Sequence, residues 1–338
     1  MNLQERLRLH KKHFKTVLTE ASRFLLKCRI AKPYVEQGSL YGCVCPWEIV
    51  ESVEGNAFPI LEDFHDTLEA IWVWTFHTKV LGKNDFKPNV DAAWSYVTKN
   101  WKRFISKNST SIGKGLYDCS HLLNTGILYE NIFDDKQFRW LMEIAGKNLE
   151  VHLSNFPSTK AREYSDPFWM VTCLAHAAKH LEKQKWLETA RKYVKKHVVE
   201  KTKPFYNIKE EPEHKGPGGH DFFSKNANKA LALTACFPSD SFTKQILRES
   251  FLPATPHNFV KRHTDEHAWN AHVAAAIGKA FNLTGEEKFL KRYFAIMDIL
   301  NARVDQGGLP RSPNFPLRES WAVFFYLYAY ASIENLSS

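Results

Sequence analysis

The 338-residue chain lacks any stretch approaching the ~18 uncharged apolar residues of a membrane-spanning helix. Its first residues, MNLQERLRLHKKHFK, mix charges from the start and lack the apolar core of a secretory leader, so a cytoplasmic location is expected. Cysteine is scarce: six residues, of which only Cys43 and Cys45 are close, and no Cys-x-x-Cys pair. That excludes a structural zinc finger and leaves buried free thiols as the simplest reading. There is no glycine-rich dinucleotide or Walker A loop, no Gly-x-Ser-x-Gly elbow and no His-Glu-x-x-His. No cofactor and no metal are therefore expected. Zinc-finger, RNA-recognition and homeodomain signatures are also missing, so nucleic acid is not an expected partner. Extended period-2 runs are rare, which leaves little room for sheet. With no low-complexity tract or linker, residues 1–338 read as one domain.

What the chain has is helix. Apolar residues recur at i, i+3, i+4 and i+7 along its whole length. One set of segments is amphipathic and lysine-rich, near 4–28, 89–106, 135–152, 184–200, 240–250 and 286–302. WLETARKYVKKHVVE (186–200) is typical, with one apolar stripe and one charged face. The other set is apolar nearly all round, near 64–81, 118–131, 166–181, 221–236, 265–282 and 318–333. HAWNAHVAAAIGKAF and SWAVFFYLYAYAS belong to it, and a helix apolar on every side is buried on every side.

The two sets alternate six times. The inner helices begin near Asp66, Asp118, Asp166, Asp221, Asp265 and Glu319, at intervals of 52, 48, 55, 44 and 54 residues. A recurring hairpin of about 50 residues marks a repeat architecture. Six such hairpins with buried inner helices close most naturally into an all-α (α/α)6 toroid; an open solenoid is the alternative. The outer-to-inner connections are long and the reverse ones short, so the long loops gather on one rim, where function usually sits.

That rim carries the chemistry. The inner helices start with Asp63-Phe64-His65-Asp66, Tyr117-Asp118-Cys119-Ser120-His121, Tyr164-Ser165-Asp166, His220-Asp221, Asp265-Glu266-His267 and Arg318-Glu319-Ser320-Trp321. Each Asp alone reads as a helix cap, since an acid suits a helix N-terminus. The histidines are harder to assign that way, because the dipole opposes their charging. Carboxylates and imidazoles around one bowl supply general acid and base. Candidate catalytic groups are Asp66, His121, His220, Asp221, Asp265, His267 and Glu319. Candidate substrate contacts are His65, Asp118, Tyr164, Asp166, Trp169, Trp269, Arg311, Arg318 and Trp321, with Trp72 also placed near the mouth. The tryptophans suit stacking on a sugar, and the arginines suit an anion. His176 and His180, late in their helix, read as surface residues. A ligand set of His121, His220 and Asp265 across helices stays open. The net charge of +9 (46 Lys+Arg, 37 Asp+Glu) fits ordinary solubility or an anionic ligand.

The hairpin pattern, with Asp305-Gln306-Gly307-Gly308-Leu309-Pro310-Arg311 ahead of Glu319-Ser320-Trp321-Ala322-Val323, resembles the six-hairpin glycosidase-like superfamily of unsaturated glucuronyl hydrolases, epimerases and lyases. A second resemblance is to the terpenoid-cyclase and protein-prenyltransferase toroids, although the DxDD acid motif is absent and Asp134-Asp135 is expected on an outer helix. The first implies an enzyme acting on a carbohydrate, an anionic one included, by hydrolysis or elimination in a central cavity. Its partner would be a small molecule or oligosaccharide. The second implies isoprenoid chemistry, and a non-catalytic binding or scaffold module is the third reading. A floor polar to its depth would favour sugar, and an aromatic-only floor isoprenoid.

Overall fold

The computed structural model describes residues 2–30, 40–49, 61–105, 114–155, 167–205, 221–255, 268–312, 314–315 and 317–334. Twelve α-helices of six residues or more occur among them. The outer ones are α1 (Leu3–Cys28), α3 (Lys87–Ile105), α5 (Arg139–Asn155), α7 (Gln184–Val194), α9 (Ser241–Ile246) and α11 (Glu287–Asn301). The inner ones are α2 (Phe64–Leu81), α4 (Lys114–Phe133), α6 (Pro167–His180), α8 (Asp221–Cys236), α10 (Asn270–Thr284) and α12 (Ser320–Ile333). Both α7 and α9 run on into a π-helical turn.

Burial follows the two compositions. Every residue of α12 is buried, as is α2 from Phe64 to His77. The outer helix α7 buries only Trp186, Ala190, Tyr193 and Val194, one stripe. Each inner helix packs against the next, and α12 packs back onto α2, so the ring closes as an (α/α)6 toroid rather than opening into a solenoid. None of the described helices is long and apolar enough to cross a membrane.

The sharp inner-to-outer turns have a local cause. α2 and α10 end at Gly82 and Gly285, whose φ values of 66° and 70° are left-handed and cost glycine least. Asp134 also adopts a positive φ, of 49°, so the Asp134-Asp135 pair lies in the α4–α5 turn rather than on an outer helix, and Asp135 accepts a hydrogen bond from Tyr129.

The seam of the ring is pinned from three sides. The indole of Trp74 donates to the Ser22 carbonyl of α1 at 3.0 Å. His10 bonds the Tyr293 hydroxyl at 2.8 Å and stacks on Tyr330 at 4.1 Å. Residues 40–49 run along the mouth, where the backbone N–H of Ser320 donates to the Pro46 carbonyl at 2.9 Å. A short antiparallel pair, Leu309–Pro310 with Arg318–Glu319, sets the entry into α12. All six cysteines are free and buried.

Candidate active site

The N-terminal ends of the inner helices converge on an acid–imidazole cluster. Asp63 caps α2, its carboxylate accepting from the backbone N–H of His65 at 3.1 Å. The cap therefore falls three residues ahead of Asp66, whose side chain is left for other contacts. His65 sits at the centre: its Nδ1 lies 2.9 Å from Asp63 and 3.2 Å from Asp118, and its Nε2 lies 3.4 Å from Asp66. Burial disfavours a charged imidazole, but the carboxylates of Asp63, Asp66 and Asp118 outweigh it and hold His65 protonated well above its ordinary range.

Asp66 is pushed up to about 7, by burial first and then by the charge of Asp63. Its proton has a visible destination. The Ser320 hydroxyl contacts both Asp66 and, at 2.9 Å, the Cys45 carbonyl. A hydroxyl carries one hydrogen. If it goes to the carbonyl, which can only accept, the proton between Ser320 and Asp66 belongs to Asp66.

One helical turn deeper lies a second polar tier. Glu69 is fully buried and its carboxyl is held protonated chiefly by that burial, with the neighbouring acids Asp66, Asp63 and Asp118 adding to the effect. His121 Nδ1 stands 3.3 Å from Glu69, too poorly aligned for a hydrogen bond, and burial keeps its ring neutral. His272 is buried too and is pushed down to about 3 by burial alone. Among the described residues, neither ring nitrogen of His121 or His272 has a hydrogen-bond partner. Leaving such groups dry and unpaired costs on the order of 1–3 kcal/mol each, a cost characteristic of functional sites.

An aromatic wall closes one side. Trp269 and Trp321 lie 5.2 Å apart, Trp269 lies 5.3 Å from Phe325, and Phe325 stacks on His272 at 4.6 Å. Trp169 touches His121 and His272, at 5.6 and 5.1 Å. Beside the wall, Arg311 grips the buried Glu319 with two hydrogen bonds of 2.6 and 3.1 Å, while its own side chain stays 43% exposed. Burial raises Glu319 to about 7 against the pull of Arg311.

Of the residues expected from sequence, Asp66, His65, Asp118, His121, Trp169, Trp269, Trp321, Arg311 and Glu319 are thus found at this end of the ring. The three acids among them do not cap helices. Asp66 meets Ser320, Asp118 lies in the second turn of α4 and reaches His65, and Glu319 makes no cap bond and holds Arg311. Arg318 is placed elsewhere, bonded to Glu48 and Asp305. Trp72 points to the far end of the ring, and His176 and His180 line a cavity there rather than lying on open surface. Tyr164, Asp166, His220, Asp265 and His267 lie outside the described residues, and Asp221 opens α8 with its side chain likewise undescribed. Sequence reasoning left out Asp63, Glu69 and His272. Each was signalled by helical spacing: Asp63 and Glu69 stand three residues either side of Asp66, and His272 three after Trp269.

Asp63, His65 and Asp66 each offer a ligand atom within 4.8 Å of the others, the one such trio among the described residues. One oxygen of Asp63 serves the helix cap and one of Asp66 meets Ser320, and a cation at the remaining ones would compete with the protonated imidazole of His65.

No protein-family model and no curated protein matches the chain. Solved structures do match its fold. A D-mannose isomerase superposes with a TM-score of 0.69 at 12% identity, covering 96% of this chain and 98% of its own. An unsaturated glucuronyl hydrolase specific for heparin gives 0.62 at 13%, with the same coverages of 96% and 98%. The cellobiose 2-epimerase of Bacillus thermoamylovorans gives 0.61 at 14%, again over 96% and 98%. At these identities the likeness establishes the toroid fold.

Proposed function

We propose that this protein is an enzyme acting on a carbohydrate, an anionic one preferred, by hydrolysis or elimination at the N-terminal ends of its inner helices. The observation that carries the reading is the depth of the polar cluster. Below Asp63, His65, Asp66 and Asp118 come Glu69, His121 and His272, so the floor beneath the aromatic wall is polar. A pocket for isoprenoid would be apolar below its rim, and a scaffold would spend its rim acids on capping. Three solved structures of the same fold are named for sugar chemistry, which agrees.

In this proposal Asp66, protonated near neutrality, donates to the departing oxygen. Asp118, steered by His65, takes a proton from water or from the sugar ring. Trp269 and Trp321 flank the ring, and the exposed part of Arg311 meets a uronate carboxylate. The proposal keeps His220, Asp221, Asp265, His267, Tyr164 and Asp166 as contributors from the long connections. It also keeps residues 1–338 as one domain.

The test is a panel of saturated and unsaturated uronides and neutral glycosides, followed by product analysis. Asp66→Asn and Asp118→Asn should each lower kcat by a factor of about 10²–10⁴ while the fold persists. Turnover that survives both replacements would overturn these assignments. A specific observation supports one second reading. His121 and His272 are neutral imidazoles, suited to removing a proton beside a sugar carbonyl as in isomerisation or epimerisation. Solvent deuterium entering an uncleaved sugar would favour it over bond cleavage.

A further inference from the structure

A cavity of about 540 Å3 lies at the end of the ring opposite the acid cluster. The two ends are parted by aromatic rings. Trp72 meets Phe324 edge-on at 5.2 Å, Phe324 lies 5.8 Å from Tyr328, and Trp169 lies 5.8 Å from Tyr328. His121 rests on the mouth side of this septum, against Phe324 and Trp169. Trp72 and Tyr328 face the far cavity from the other side.

The far cavity differs in charge from the mouth. Its lining includes Lys179, Lys279, His176 and His180, and none of its lining residues is an acid. Glu130, which bonds the lining His180 at 2.8 Å, is also held by Arg139 at 2.7 Å. Lys179 donates to the Ala235 carbonyl. Lys279 makes no hydrogen bond or ion pair with any described residue. Burial lowers it to about 8, with Lys79 adding to the effect, so the ammonium persists at neutral pH. Asn124, only 8% exposed, presents an amide nitrogen with no partner among the described residues. A half-buried cation and a buried donor, neither with an acceptor among the described residues, would both gain from an acceptor-rich ligand. Ile127, Leu128, Leu231 and Leu283 give the rest of the lining an apolar part, and the volume suits a compact organic molecule.

We propose that this cavity is a second ligand site for a small organic anion, whose phosphate or carboxylate group is held by Lys279 and Asn124 and whose body lies between Trp72, Leu231 and Tyr328. The site is distinct from the acid cluster and does not depend on what that cluster does.

Titration calorimetry with inorganic phosphate, glucose 6-phosphate and glucuronate tests it. The full-length protein should bind at least one probe at one site per chain, more weakly as salt rises. A preference for the two phosphates assigns a phosphate site, and equal binding of glucuronate assigns a general oxyanion site. Lys279→Met should weaken binding at least tenfold while leaving the unliganded melting temperature equal or higher, because a half-buried charge is removed and no hydrogen bond or ion pair to a described residue is lost. Lys279→Arg should restore part of the binding. Asp118→Asn, at the mouth, should bind as the parent does. Three results would each overturn the proposal: no saturable binding of any probe, undiminished binding by Lys279→Met, or loss of binding in Asp118→Asn.

Discussion

Replacing Asp66 by asparagine tests whether the centre of the cluster holds a proton at neutral pH. In the folded chain this carboxyl titrates at about 7, against 3.8 for an unperturbed aspartate. Between those values the folded protein keeps a proton that the unfolded chain releases. The stabilising contribution is therefore full below the lower value and is lost as the pH rises through the upper one. A gap of about three pH units at ~1.4 kcal/mol each is about 4 kcal/mol. The span from pH 5 to about 7 holds two of those units, about 3 kcal/mol, and the opposing pull of the His65 imidazolium is already contained in it. For a chain of 338 residues, ~2.1 cal/mol/K of unfolding entropy per residue turns that into about 4 °C. Asparagine can donate to Ser320 as the protonated acid does but cannot ionise. Glu319, which titrates in the same range, is present in both proteins and cancels in the comparison. Melting temperatures followed by circular dichroism at pH 5 and pH 8 should thus fall less in Asp66→Asn than in the parent, by those few degrees. Parallel curves would refute the assignment of the proton to Asp66, and so would a variant hurt more at pH 8 than at pH 5.

Removing Arg311 by Arg311→Ala leaves the buried Glu319 without its cation. The expected loss is about 1–3 kcal/mol at pH 8, shrinking at pH 5, where Glu319 is already protonated. Urea unfolding at the two pH values measures it, and an equal loss at both would contradict the pairing. Glu69→Gln exchanges one neutral, fully buried group for another, so stability should stay within ~1 kcal/mol and the pH profile of melting should overlay the parent's from pH 5 to 8. A profile that diverges with rising pH would mean that Glu69 ionises. Because the protonated His65 already supplies a positive charge between Asp63, Asp66 and Asp118, prolonged treatment with a strong chelator should leave the melting temperature unchanged, and a drop of several degrees would reveal a resident cation.

The architecture was legible in the chain because it rests on composition over long windows. Helices such as α12, apolar on all sides, could only be central, and stripes such as that of α7 could only be peripheral. Their strict alternation left the ring as the arrangement that buries six central helices at once. The rim was legible for the same reason, since the polar tips of the inner helices, Asp66, His121 and Trp321 among them, share one end of the ring.

Partnership was not legible. Spacing within a helix says which residues share a face, but the separation of Asp118 from His65, or of Ser320 from Asp66, is set by how far one helix slides and turns against another. Only packing decided that Asp63 rather than Asp66 caps α2, which frees Asp66 to hold a proton. Packing also committed Arg318 to Glu48 while Arg311 took Glu319, and turned Trp72 away from the mouth. Desolvation has the same origin. Glu69 and His121 look like ordinary polar residues in a linear text, and their protonation states follow from burial by side chains that come from other helices of the closed ring.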